Sequence, residues 1–392
     1  MVTTAPAAGP SAPSSAGGQA RRDRLDLRAT FDVTARAVAD ELIPTAVLAV
    51  ADGEGLIAVE AFPGAQDPRV GADSLYFLAS VTKPIVATAV MQLVDEGRLD
   101  LHAPIQRLVP ELAGPGRERI TPWHVLTHTS GLRDMDQRQV LRKRLGADKM
   151  LEQVLSAPLD FEPGSRYRYA SDSFYLLAAV ITRLTGMPFA EALERRVLGP
   201  VGALDVTFDP RTRRNRIVRV HGVGVENRLI QEVVLRFLAR ATLPGGGLWG
   251  TAEDLVRFGR SLLPAATGAM PRILSQAAIE EMSREQTQGL FDVSEDGTRR
   301  DPRYALGWGK PHPAGIAPSV VDETSAPDAG EVVRVPASPS TFTHGGATGT
   351  RLWIDPDREM VFVFLTNHWG ISDAPMFSIL AEVYRAWDAA SG

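Results

Sequence analysis

The chain has 392 residues, 44% of them hydrophobic, which is enough for one large domain or two intimately joined ones around a sizeable core. A formal net charge of −5 argues against nucleic acid as the main partner, and the one basic run, Arg211 to Arg219, reads as a solvated loop or strand edge. With no cysteine there is no disulfide framework, thiolate nucleophile or Cys-based metal site.

Residues 1–22, dominated at first by Ala, Pro, Ser and Gly, are expected to be a disordered tail. They hold no apolar run that could serve as a signal-peptide core, and Arg21-Arg22 is followed by polar sequence, so the expected location is cytoplasmic. No segment has the length of apolar sequence a membrane span needs. Leu25 to Leu42 reads as an amphipathic helix. Thr45 to Ala51 and Leu56 to Ala61 read as strands joined by the turn Asp52-Gly53-Glu54-Gly55. Leu75 to Ala79 then forms a short buried strand or extended entry. It leads into Ser80-Val81-Thr82-Lys83 and a helix from Pro84 to Val94 that is apolar nearly all round and closed by Gly97.

From about residue 100 the pattern turns helical and loop-rich, with helices near 147–156, 172–185, 188–197, 251–263 and 275–283. A Pro-, Ala-, Ser- and Val-rich stretch at 311–340 reads as a long loop on a functional rim. Strands return at Arg351–Ile354 and Met360–Leu365, around the turn cluster Asp355-Pro356-Asp357-Arg358, and Phe377 to Trp387 is a closing helix. Strands at both ends with helices between give the α+β class: an antiparallel sheet built from both chain ends and flanked by helices. The expected division is an α/β domain of 23–100 plus 300–392, a mainly helical domain of 101–299, and an active site in the cleft between them.

Ser80 and Lys83 lie three apart at a helix start, so the amine reaches the hydroxyl. Alone, Ser-x-x-Lys is a weak pattern, since most matches are a helix cap beside a surface lysine. Here the lysine opens an apolar helix in a chain with only four lysines (Lys83, Lys143, Lys149 and Lys310), and a charge in such surroundings needs a reason. Ser80 as nucleophile and Lys83 as base, its pKa lowered by burial, would make an acyl-transfer site. The Ser80 N–H at the helix start would supply one oxyanion donor. His124 and His128 stand at a zinc-compatible spacing, but no glutamate of the zincin type lies between them, so no metal is assigned. The elbow Gly-x-Ser-x-Gly is absent, which removes the α/β-hydrolase alternative.

Five further segments make a family resemblance specific. Ile120 to Leu132 carries Leu126-Thr127-His128-Thr129-Ser130-Gly131-Leu132. Glu162-Pro163-Gly164-Ser165 leads to Tyr169-Ala170-Ser171. Gly245-Gly246-Gly247-Leu248 precedes Thr251-Ala252-Glu253-Asp254. Leu306-Gly307-Trp308-Gly309 and then Phe342-Thr343-His344-Gly345-Gly346 follow in order. In this order they resemble the serine β-lactamase and penicillin-binding-protein superfamily, in its class C β-lactamase-like branch with the family VIII carboxylesterases. The resemblance covers Leu25 to Trp387 and implies a β-lactamase/transpeptidase-like fold.

It also implies that Tyr169 acts with Lys83 in proton transfer, with Tyr167 as the nearby decoy. Ala347 N–H would be the second oxyanion donor. Ser171, His344, Gly345 and Gly346 would contact substrate, the glycines leaving room for a substrate backbone. Two positions depart from the family: Ser171 stands for an asparagine and His344 for a lysine. A histidine carries less positive charge, so carboxylate recognition is expected to weaken, and to strengthen again as pH falls from about 8 to about 6. The expected activity is therefore that of a carboxylesterase working through an acyl-Ser80 intermediate on a small ester or amide, without cofactor. The alternatives are a β-lactamase or D-amino-acid peptidase, or a non-catalytic binder of β-lactams or peptidoglycan fragments. Oligomeric state is left open.

Overall fold

A computed structural model describes residues 16–136, 140, 143, 145–223, 233, 234, 236–238, 241–264, 271–293, 297–312 and 333–392. Most of the long loop expected at 311–340 lies outside the described residues.

The N-terminal helices are α1 (Ala16–Arg24) and α2 (Arg28–Ala39), and the first strands are β1 (Ala46–Asp52) and β2 (Leu56–Phe62). A short β3 (Tyr76–Phe77) precedes α3 (Thr82–Asp95). The middle contributes α4 (Pro122–Leu126), α5 (Ala147–Ser156), α6 (Phe174–Thr185) and α7 (Phe189–Leu193). Then come β4 (Trp249–Gly250), α8 (Ala252–Arg260), α9 (Gln276–Ser283) and the two-residue strands β5 (Asp292–Val293) and β6 (Arg299–Arg300). The chain closes with β7 (Phe342–Gly345), β8 (Arg351–Asp355), β9 (Met360–Leu365) and α10 (Ala374–Ser391).

The main sheet has the order β2-β1-β9-β8-β7, every neighbour antiparallel, so both chain ends build it as the sequence pattern predicts. Strand alternation sorts its two faces. Leu48, Val50, Met360, Phe362 and Phe364 point into one core with Trp353, Leu380, Tyr384 and Trp387, under α2 and α10. Val47, Ala49, Val361, Val363 and Leu365 point into the other, which continues without a break through α3, α6 and α9. Helix α8, placed by sequence in the helical half, packs on this sheet face against β1 and β9. Its Thr251 caps it by accepting from the Asp254 N–H at 3.2 Å.

The expected tail over 1–22 is corrected at its C-terminal end. Residues 1–15 lie outside the described residues, but α1 begins at Ala16. Arg22 ion-pairs with the fully buried Asp52, its Nε donating at 2.8 Å. Burial alone would raise the Asp52 pKa, but Arg22 and the amides of Glu54 and Gly55 bring it below its ordinary value. The helix thus begins within the tail composition, and Arg22 in its second half anchors it to Asp52. The basic run at 211–219 is largely neutralised locally, with Arg213 and Arg216 on Asp205 and Arg211 on Asp209. Among the described residues no single helix is long and apolar enough to cross a membrane.

Candidate active site

Strand β3 ends against the sheet edge. Thr348 Oγ1 donates to Phe77 O at 2.9 Å and Thr350 Oγ1 to Leu78 O at 3.1 Å, while the Leu78 N–H donates to Leu248 O at 2.9 Å. The chain then turns sharply, with Ala79 in the left-handed region at φ 45°, through a 3-10 turn over Ala79–Val81 into α3. A non-glycine residue held there costs about 1–3 kcal/mol, a strain that clusters at functional positions. The turn leaves Ser80 only 8% exposed at the head of α3, and its side chain caps nothing.

Lys83, fully buried one turn on, places Nζ 3.2 Å from Ser80 Oγ, 3.0 Å from Ser171 Oγ and 2.6 Å from Gly245 O. Three acceptors match the three donors of the ammonium form. Burial lowers its pKa to about 7, and the more distant Asp134 and Asp172 hold it from falling further. Near neutral pH a large share of the amine is therefore unprotonated and able to take a proton from Ser80. Asp172 itself is pushed up, first by burial and then by Asp134.

The Tyr169 ring lies 4.5 Å from Lys83 Nζ. Burial raises its pKa while the hydroxyls of Ser80 and Ser171 lower it, so it is a neutral phenol near both. None of those contacts reaches hydrogen-bond geometry, and Oη is buried without a partner among the described residues. Tyr167 packs instead against His128 and Tyr304. Tyr169→Phe is expected to lower kcat/KM on esters by about 10²–10⁴, the span usual for a positioned acid or base. Tyr167→Phe should change it by less than threefold. The reverse pattern in steady-state rates would show that the wrong tyrosine has been chosen.

On the sheet side, β7 carries His344 and ends at Gly345-Gly346-Ala347. The Ser80 and Ala347 N–H groups donate to no backbone carbonyl among the described residues, which fits a pair of free oxyanion donors. Gly345 and Gly346 differ from expectation, because the room they leave is filled by the chain itself. A Cβ on Gly346 would stand 2.5 Å from Leu78 O and 2.2 Å from Thr350 Oγ1, and one on Gly345 would stand 2.9 Å from Arg351 Cζ. The glycines let the sheet edge close on the nucleophile turn.

His344 also differs. It is 2% exposed, and burial together with the Lys83 charge holds its pKa well below the usual imidazole value. Both causes favour the neutral imidazole, which runs against the expected strengthening of anion binding as pH falls from about 8 to about 6. Its Nδ1 lies 2.8 Å from Gly345 O, and its Nε2 lies 2.8 Å from Tyr304 Oη. Tyr304 and His128 were given no role from the sequence. His128 is in the left-handed region at φ 57° and 1% exposed, with Nδ1 accepting from the Ala170 N–H at 3.2 Å. Their partners are 40 or more residues away in sequence, so no local spacing could have signalled them. His124 instead caps its own helix, accepting from the Thr121 N–H at 3.1 Å. Among the described residues no cluster of His, Asp and Glu could hold a metal.

This arrangement can be set against known proteins. The family model named Beta-lactamase matches residues 31–381. The chain belongs to the β-lactamase family. Esterase EstB of Burkholderia gladioli is 32% identical over 403 residues, covering 92% of this chain and 96% of EstB. Among solved structures, a family VIII carboxylesterase superposes with a TM-score of 0.72 at 22% identity, covering 91% of this chain and 96% of its own. A penicillin-binding-protein homologue from Caulobacter crescentus gives 0.71 at 20% identity, with 92% and 97% covered. These two likenesses establish the fold. The chain is a β-lactamase-family hydrolase with the α+β architecture its sequence implies.

Proposed function

We propose that this protein is a carboxylesterase acting through an acyl-Ser80 intermediate. The observation that carries the reading is a buried amine of pKa about 7 standing 3.2 Å from the Ser80 hydroxyl. Neutral Lys83 takes the Ser80 proton as Oγ attacks the ester carbonyl carbon. The resulting oxyanion lies against the Ser80 and Ala347 N–H groups. Collapse breaks the bond to the alcohol oxygen, which takes a proton from Tyr169, and Tyr169 is recharged from Lys83. Water then enters and attacks the acyl carbon as it loses its proton to the same pair; the bond to Ser80 Oγ breaks, Oγ takes that proton back, and the acid leaves. Likeness to an esterase over nearly the whole chain supports ester substrates.

His344, held towards its neutral form by burial and the Lys83 charge, favours the reading of esters over β-lactams. A lysine at this place would face a substrate carboxylate with a full charge, whereas His344 offers none and has both ring nitrogens engaged. Short-chain p-nitrophenyl esters are expected to give a kcat/KM about 10- to 150-fold above that for nitrocefin, since a charge-assisted contact is worth about 1.5–3 kcal/mol. Nitrocefin turnover equal to ester turnover would make this a β-lactamase, and efficient release of D-alanine from peptides would make it a peptidase. A fluorescent phosphonate that labels Ser80 in a protein with no turnover of any substrate would mark a binder.

A further inference from the structure

We infer that Tyr304 is a positioning residue that aims Tyr169 at the leaving group, through a one-way hydrogen-bond chain linking the Tyr169 segment to β7. The inference rests on the esterase reading and adds how its proton donor is held.

The direction of the chain follows from its ends. Gly345 O can only accept, so His344 Nδ1 carries the proton between them. His344 is neutral, so its Nε2 is an acceptor and the Tyr304 hydroxyl must be the donor at 2.8 Å. At the far end the Ala170 N–H can only donate, so His128 Nδ1 is bare and Nε2 carries hydrogen. His128 Nε2 then donates to Tyr304 Oη at 3.3 Å. Every group has a partner in one orientation only, and Tyr304 is the one member that both accepts and donates a side-chain bond. Lys83 on α3 and Arg351 on β8 are the charged groups that face His344, and both disfavour its protonated form.

This chain matters because Tyr169 lacks an anchor of its own. Its Oη has no partner among the described residues, so ring packing sets its direction. The ring lies 4.2 Å from that of His128, 6.5 Å from that of Tyr304 and 6.5 Å from that of His344. The next residue, Ala170, is held by His128 as well. Removing the Tyr304 hydroxyl leaves one imidazole lone pair and one imidazole N–H unsatisfied in a dry site and loosens the surface against which Tyr169 packs.

A misaimed proton donor harms poor leaving groups selectively. p-Nitrophenolate departs without a proton, whereas an alkoxide needs one. The test compares wild type and Tyr304→Phe on the p-nitrophenyl and ethyl esters of one acid, with burst amplitude used to count functional sites. Tyr304→Phe is expected to lower kcat/KM for the ethyl ester by about tenfold more than for the p-nitrophenyl ester. Equal losses on the two esters would overturn the inference. A second comparison uses His344→Ala as background, where Tyr304 has already lost its acceptor. There the added effect of Tyr304→Phe on the ethyl ester should fall below threefold, and full additivity would overturn the chain as a unit. Should the wild type hydrolyse neither ester, it is the esterase reading that fails.

Discussion

Ser80→Ala is expected to abolish ester turnover, with a loss in kcat of about 10⁵-fold or more, as when the nucleophile of a serine hydrolase is removed. The size of the effect follows from having no substitute. The other hydroxyl on Lys83 is that of Ser171, which comes from the segment carrying Tyr169 and is not at the head of α3. Stability should be nearly unchanged. The Ser80 side chain caps no helix, so no capping energy of about 1 kcal/mol is at stake. Lys83 keeps Ser171 Oγ and Gly245 O as acceptors when the hydroxyl is gone. Covalent labelling by a fluorescent phosphonate should vanish with turnover, while the melting temperature shifts by no more than a few degrees. Residual activity within tenfold of wild type would remove Ser80 from the mechanism.

The sheet was legible because its signal is local. Alternation in Ala46–Asp52 and Met360–Leu365 sends even and odd positions to different cores, and the turn cluster at Asp355–Arg358 stands between β8 and β9 as read. Ser80 and Lys83 were legible for the same reason, being one helical turn apart. What escaped depends on residues distant in sequence. The placement of α8 on the sheet is set by β1 and β9, about 200 residues before and 100 after it, and no periodicity within the helix encodes that choice. The charge state of His344 is set by burial, Lys83 and Arg351, so the residue type alone suggested a switch that burial opposes. Gly345 and Gly346 were recognised as places of close approach, but only the fold says that Leu78, Thr350 and Arg351 are what approaches.

The pH profile of kcat/KM on a neutral ester should rise with pH and level off above about 7, because the active form has Lys83 unprotonated. At pH 6 roughly one site in ten would carry the free amine, so the rate should fall about tenfold from its plateau. His128 and His344 do not contribute this limb, since burial and the Lys83 charge hold both well below their ordinary value. Asp172 is the competing explanation, because burial and Asp134 push its pKa upward. The two are separated by sign. Asp172 stabilises the charged amine, so Asp172→Asn should lower the Lys83 pKa further and move the limb to lower pH. If Asp172 were the titrating group, the same substitution would erase the limb. Lys83→Arg provides the second arm, for a guanidinium stays protonated throughout this range and cannot accept the Ser80 proton. Its activity should drop by about 10³-fold or more at every pH. A profile that stays flat between pH 6 and pH 8 in the wild type, or a Lys83→Arg variant that keeps the wild-type limb, would show that the proton leaves Ser80 by another route.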